Sequence, residues 1–268
     1  MTSAITPTKR MSSAEGVRLV LHQVYYEQLS FWLSPVSAVF TIGFAVIFLV
    51  VLGLTTGDTH VKFLGNVREV EYYVPAFAAY GIMSTCFNTL AIALVIRRET
   101  GLLKRQRLSP LPVWAMIVGI SGSALLISAI QVALLLAIGG LGFGVALPHD
   151  FAALVLVLVV GTVAFTCIGV ATSTVVPNQE SAGPVISLVF FVLLFVSGLW
   201  YPLKPGSTLD HVSSYFPIRH LISAMFAPFD VRPGFSPWAW KDLLVVAAWG
   251  IASAPLAARR WRWAPRRG

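Results

Sequence analysis

The sequence predicts an all-α membrane protein built on six transmembrane helices. It adds an N-terminal interfacial amphipathic helix and a re-entrant helical pair between the fifth and sixth spans. Three observations carry the prediction. The first is composition: 57% of the 268 residues are apolar and 11% are charged, with a mean hydropathy of +0.80. Soluble domains hold about 25% charged residues, and a soluble core of this size could not enclose so much apolar surface. The second is that the apolar residues gather into six runs near the length of about 20 residues that crosses a bilayer. The third is charge placement. Thirteen Lys and Arg residues fall on the connections and ends assigned to one side, and five on those assigned to the other. Such a bias places the thirteen, and both termini, in the cytoplasm.

In chain order, residues 1–35 form a tail and an interface helix. Residues 1–12 are rich in Ser, Thr and Pro and are expected to be disordered. From Ser13 to Leu33 the residues Val17, Leu21, Val24, Tyr25, Gln28 and Phe31 or Trp32 recur at three- and four-residue steps. Arg18, His22 and Glu27 fall mostly off that stripe. This pattern is an amphipathic helix lying in the membrane interface, with Tyr25, Tyr26 and Trp32 at headgroup level. Pro35 turns the chain into the membrane domain, residues 36–258. No cleavable signal peptide is expected, because the first apolar run begins about 35 residues in and is too long for one.

The spans are read at 36–54, 74–96, 113–138, 151–176, 184–200 and 238–258. A polar loop from Thr55 to Tyr73 joins the first two. Gly139-Gly140 and a short Gly-rich loop to Asp150 join the third and fourth. The tight turn Pro177 to Gly183, with Asn178, Gln179 and Glu180, joins the fourth and fifth. The stretch from Tyr201 to Trp238 is neither a span nor an ordinary loop. Its semi-apolar part is broken by Pro217 and holds Asp210, Arg219 and His220, so it is too short and too polar to cross. Residues 259–268 form a basic tail.

The connection between the second and third spans is the most informative stretch. RRETGLLKRQRLSPLP, Arg97 to Pro112, holds five positive charges and one negative one. It reads as a short helix from Glu99 to Leu108, stopped by Ser109-Pro110. Leu102, Leu103 and Leu108 give it a partly apolar face, which a solvated loop does not need. One reading is an anchor of positive charge that fixes topology; the other is a docking element.

Chemistry is scarce elsewhere. The cores of the spans lack Asp, Glu, Lys and Arg, which intramembrane enzymes and proton-coupled carriers use. The five histidines show no metal spacing. Neither Cys86 nor Cys167 has a ligand or redox spacing, so both read as packing residues. The net charge of +8 is explained by topology and anionic lipid, not by nucleic acid. Asn88 and Gln131 stand out, because an unpaired amide in hydrocarbon is costly. Each should face another helix, as interhelical glue, or a wet cavity, as a substrate contact. The chain shows no energy source of its own.

Four stretches together resemble the membrane subunits of ABC-2 type ABC exporters, a family that includes drug-resistance and polysaccharide exporters. They are FWLSPVSAVF (Phe31 to Phe40), ETGLLKRQRLSPLP (Glu99 to Pro112), VSGLWYPLKP (Val196 to Pro205) and YFPIRHLISAMF (Tyr215 to Phe226). The resemblance implies a dimer of two six-span permeases, identical or homologous, on two ABC ATPase subunits that bind ATP and Mg²⁺. This chain would itself be no enzyme and would hold no cofactor. The ATPase-coupling helix would be Glu99, Thr100, Gly101, Leu102, Leu103, Lys104, Arg105, Gln106, Arg107, Leu108 and Ser109. Asn178, Gln179 and Glu180 would make a second, smaller contact. Tyr201, Pro202, Pro217 and Arg219 would belong to an extracellular cap. Asn88, Ser197 and Gln131 are the candidates for a substrate path between two copies. The mild lining favours an amphipathic drug-like or lipid-like cargo, since a sugar polymer would want more hydrogen-bonding groups and aromatic faces. A polysaccharide or glycolipid exporter of the same family is the alternative. An importer, a channel, or a membrane-embedded enzyme or scaffold also stays open.

Overall fold

A computed structural model describes residues 13–103, 113–230, 232–234 and 236–261. It is almost wholly helical. Among the described residues six helices are long and apolar enough to cross a membrane: Val39–Thr56, Glu69–Glu99, Trp114–Phe143, Phe151–Val175, Gln179–Val196 and Trp240–Arg260, here spans one to six. Span two is the buried centre of the bundle, while spans one, five and six leave most of their surface to the surroundings. That is the arrangement expected when lipid, not water, meets the outer faces.

Span two starts at Glu69, not at Val74 as the charges at Glu69 and Glu71 suggest. Its first turn is fixed by Arg68 and Glu71. The Glu71 carboxylate accepts from the backbone N–H of Arg68 at 3.3 Å and from its Nε at 2.9 Å. Acceptors at a helix start satisfy N–H groups that have no partner within the helix. Pro75 then sits inside the helix. At the other end, span two runs through Glu99. Gly101, with φ 75°, stops it, a conformation that costs glycine little. The short helix expected from Glu99 to Leu108 therefore gives Glu99 to span two and Thr100 to its C-cap. Leu102 and Leu103 begin a new helical turn after the glycine. Lys104, Arg105, Gln106, Arg107, Leu108 and Ser109 lie outside the described residues, as do residues 1–12 and 262–268.

Two spans contain a π-helical turn. Val39–Gly43 opens span one, and Ser84–Thr89 interrupts span two. Such turns widen the helix by one residue and free backbone groups from the regular ladder. The two lie close together. The buried Gln131 of span three donates from Nε2 to the Thr41 carbonyl at 3.4 Å, and its amide packs against Gly81, where a Cβ would push it aside.

The N-terminal helix, Ser13–Trp32, leans on the first part of span three. Gln23 lies over Gly119 and Val24 over Gly122. Gln28 donates from Nε2 to the Ser123 carbonyl at 2.8 Å and to its hydroxyl at 3.1 Å. The single stripe expected from the sequence thus splits. Val17, Leu21, Tyr25 and Trp32 stay exposed, while Val24, Gln28 and Phe31 turn to the bundle. The small residues of span three make the second face possible, by letting a helix approach closely.

We call the end of the bundle that carries this helix, and the start of the connection between spans two and three, the basic end. At the opposite end a two-residue antiparallel pair aligns His60 with Arg68. Arg68 donates to the carbonyls of Phe143 and Gly144 at 3.2 and 3.1 Å, closing the end of span three. Two short helices, Thr208–Ser213 and Pro217–Phe226, follow span five. Both are far below the length of about 20 residues needed to cross.

Candidate functional site

Two concave sites share span two, and hydroxyl groups line both. The larger is a groove of about 470 Å³ between spans one, two and five. Its walls are mainly apolar and aromatic: Phe40 and Phe44 from span one, Tyr80 and Ile92 from span two, Phe190 and Phe191 from span five. Its polar groups are Ser84, Asn88, Thr89, Thr41 and Ser187. Both π-helical turns contribute lining residues, Thr41 from the first and Ser84, Asn88 and Thr89 from the second. Asn88 Oδ1 accepts a long hydrogen bond from the Ser187 hydroxyl at 3.4 Å. Above the groove, Trp200 packs with Phe44, Phe48, Phe77 and Phe195, with centroids 5.0 to 6.4 Å apart.

Of the three path candidates read from the sequence, the structure brings only Asn88 to this groove. Gln131 is fully buried behind it and joins span three to span one. Its Oε1 has no hydrogen-bond partner among the described residues. Ser197 is buried in the turn that ends span five. Its hydroxyl donates to the Leu194 carbonyl at 2.7 Å and accepts from the Leu199 N–H at 3.2 Å. Ser187 and Tyr80 were not legible as site residues, because a Ser or Tyr in an apolar helix reads as packing.

A second, smaller cavity of about 230 Å³ lies between the N-terminal helix and spans two and three. Ser30, Ser34, Thr85, Thr89 and Ser123 line it, and the ion pair of Glu27 with Arg97 sits at its rim. Glu27, expected away from the packed face, turns inward because Arg97 meets it there. Arg97 donates from both terminal nitrogens to the two carboxylate oxygens, at 2.7 and 2.6 Å.

At the basic end, the residues expected to couple to a partner divide by position. Leu102 is 43% exposed, whereas Leu103 is 2% exposed. Leu103 packs in a small core with Leu90, Leu94, Met116, Ile120 and Val170. Thr100 is exposed. Its hydroxyl bonds back to the Ile96 carbonyl at 2.9 Å. Glu99 accepts from Arg98 Nε at 2.8 Å and is mostly buried. Asn178 caps span five, its Oδ1 accepting from the Ser181 N–H at 2.9 Å, the usual task of Asn at a helix start. Gln179 and Glu180 are exposed beside it.

Arg98 is the residue that reading the sequence passed over. It counted as one more charge in a basic loop, yet it is 4% exposed. Nη1 donates to the Ser173 carbonyl at 3.1 Å, and Nη2 to those of Val176 and Pro177 at 2.8 and 3.1 Å. All three acceptors close the end of span four.

At the opposite end, Tyr201 is exposed and Pro202 half-buried. Tyr72 donates to the Gly198 carbonyl at 2.7 Å and fixes the exit of span five. Pro217 opens the second short helix at its first turn, where a missing N–H costs nothing. Arg219 donates to Asp210 at 3.3 Å and to Ser223 at 2.6 Å. Among the described residues no group of His, Cys, Asp and Glu could hold a metal ion.

Six candidate membrane spans and an uncharged groove between spans one, two and five characterise the bundle. The sequence pattern of the ABC-2 family transporter proteins matches residues 57–259, and the chain belongs to that family. Comparison with curated protein sequences finds no match. The protein is accordingly the multi-pass membrane permease of an ABC exporter, a transport subunit that associates with an ABC ATPase.

Proposed function

We propose that two copies of this permease, or this chain and a homologue, stand on two ATPase subunits. Together they carry an amphipathic drug-like or lipid-like molecule out of the cytoplasm or the inner leaflet by alternating access. The basic end faces the cytoplasm of a cell or inner membrane, with both termini on that side, in line with the bias of basic residues. ATP and Mg²⁺ bind in the ATPase subunits. Leu102 and the basic residues beyond it dock there, and Asn178 to Glu180 supply the smaller contact. The short helices between spans five and six cap the path outside and dip into the membrane without crossing it.

The observation that carries this reading is the groove at Asn88. It is apolar on its walls, neutral in its polar groups, and bordered by spans one and five, whose outer faces a second copy can cover. Such a lining holds an apolar body and one polar end of a substrate. The rings of Phe40, Phe44, Tyr80, Phe190 and Phe191 also offer stacking faces for a sugar, which supports a glycolipid as the second reading.

The test is export from proteoliposomes holding the permease and its ATPase, with a cationic amphiphile, a labelled phospholipid and a glycolipid in separate arms. Asn88→Leu removes one hydrogen-bonding group and is expected to weaken apparent affinity about fivefold, the worth of about 1 kcal/mol. Unchanged export of every cargo would overturn the assignment of the groove. Ser197→Leu is not an equivalent test, because that side chain is buried in a turn.

A further inference from the structure

Arg98 solves a problem set by Pro177. In an unbroken helix the carbonyl of Ser173 would accept from the N–H four residues on. That residue is Pro177, which has no N–H. The last carbonyls of any helix also lack partners within it. Arg98 reaches across from the end of span two and supplies the missing donors, to Ser173, Val176 and Pro177 together. A cation at a helix C-terminus is further favoured by the helix dipole. Glu99 takes the remaining Nε at 2.8 Å, so the charge is paired as well as hydrogen-bonded.

A second contact joins the same two elements. Leu103, just past the Gly101 stop, shares a small core with Val170 of span four and lines a small cavity with Ser173 and Thr174 of the same span. The root of the connection between spans two and three is therefore held to span four at two points. One is polar and one is apolar.

We propose that Arg98 is a positioning residue that fixes the start of the connection between spans two and three, Thr100 to Leu103, to the turn between spans four and five, so that the two move as one body. This rests on the reading that both face the ATPase. A push on the docking stretch then reaches spans four and five directly, without passing through the membrane part of the bundle. Lys cannot replace it fully, since an ammonium lacks the planar fork that meets several carbonyls at once.

The test measures mutual rigidity and needs no ATPase, so it can fail while the coupling reading stands, and the reverse. In full-length protein with Cys86 and Cys167 replaced by Ala, spin labels are placed at Thr100→Cys and Gln179→Cys, both exposed positions. Their distance distribution is read by pulsed EPR in lipid nanodiscs. A narrow single peak is expected in the parent. Arg98→Met should broaden it at least about twofold, the sign of a lost set of charge-assisted bonds. Arg98→Lys should fall between, and covers the case in which Arg98→Met does not fold. Arg97→Met, which breaks a bond to the N-terminal helix instead, should leave the width unchanged. An unchanged width in the Arg98 variants, or an equal broadening in Arg97→Met, would overturn the proposal.

Discussion

Arg97 meets Glu27 in a two-point ion pair, at 2.6 and 2.7 Å, across seventy residues of sequence. It ties the N-terminal helix to the last turn of span two, one residue before Arg98. Neighbouring arginines thus hold opposite partners: one grips the N-terminal helix, the other span four. Both side chains of the Glu27 pair are mostly buried, so removing one partner leaves the other charge poorly solvated. Glu27→Gln is expected to lower stability by about 2 kcal/mol, within the range for hydrogen bonds to charged groups. Arg97→Met should cost a similar amount, and the double variant clearly less than the sum. Thermal unfolding in nanodiscs checks this. Strict additivity would mean the pair contributes nothing in common.

Gly169 and Gly183 make a matched pair for helix packing. A Cβ on Gly169 would lie 2.4 Å from the Cys86 carbonyl oxygen and 3.2 Å from the Phe87 Cα, both backbone atoms of the π-helical turn. Neither can move aside without shifting span two. Gly169→Ala should therefore cost about 1–3 kcal/mol. A Cβ on Gly183, in the first part of span five, meets nothing within 4 Å. Its one crowded neighbour is Pro184, which disfavours a helical Ala before it, so Gly183→Ala should cost clearly less than Gly169→Ala without stabilising. The same melting experiment reads both, and equal effects would refute the packing argument.

Much of this fold was legible in the sequence because each span is a long run that shuns charge, and lipid demands that. The boundaries slipped where charge and structure disagree. Glu69 and Glu71 look like loop residues, yet they belong to the first turn of span two. Gly101 looked like part of a loop helix, but it is the stop of span two. Asn88 was legible as an amide that must face another helix or a cavity, and it does both, bonding to Ser187 of span five and lining the groove. Arg98 was not legible as a cap. Its acceptors lie some 75 residues away, and a basic residue beside a span is ordinarily an anchor. The one available sign was Pro177, which announces an unpaired carbonyl without saying what fills it. The π-helical turns leave no mark in the periodicity of these helices.

Leu102 and Leu103, alike in sequence, should part in experiment. Leu103 fills the small core against Leu94 and Met116, so Leu103→Ala should destabilise the permease itself by about 2–5 kcal/mol. Leu102 is open to a partner. Leu102→Asp should leave melting unchanged and reduce recovery of the ATPase on the tagged permease, since docking would bury an unpaired carboxylate. Pull-down and export assays decide the matter. Normal recovery and normal export with Leu102→Asp would leave the basic stretch as an anchor of topology alone.

His220 links the second short helix to the first turn of span six, and its geometry makes the link depend on pH. Nδ1 lies 2.6 Å from an Asp242 carboxylate oxygen, and Nε2 lies 2.9 Å from the Ser214 carbonyl. Both partners are acceptors only. A neutral imidazole has a single N–H and satisfies one of them, whereas the imidazolium donates to both. The hydrogen bond to Asp242 therefore raises the His220 pKa. Partial burial opposes it, the Ser214 carbonyl and the Asp242 charge add to it, and Arg219 opposes it again. Arg219 is itself held by Asp210, which blunts that repulsion. Because the folded value is raised, the stability this link contributes is fully present below the ordinary imidazole value of about 6.5. It is lost as pH rises through the higher folded value. Hydrogen exchange over residues 208–226 should then be slow near pH 6 and faster in mildly alkaline buffer, after correction for intrinsic rates. His220→Gln should be fast at both and flat between them, since a neutral amide cannot form the ion pair. A flat profile in the parent protein, or the same rise in His220→Gln, would show that this pair does not hold the second short helix to span six.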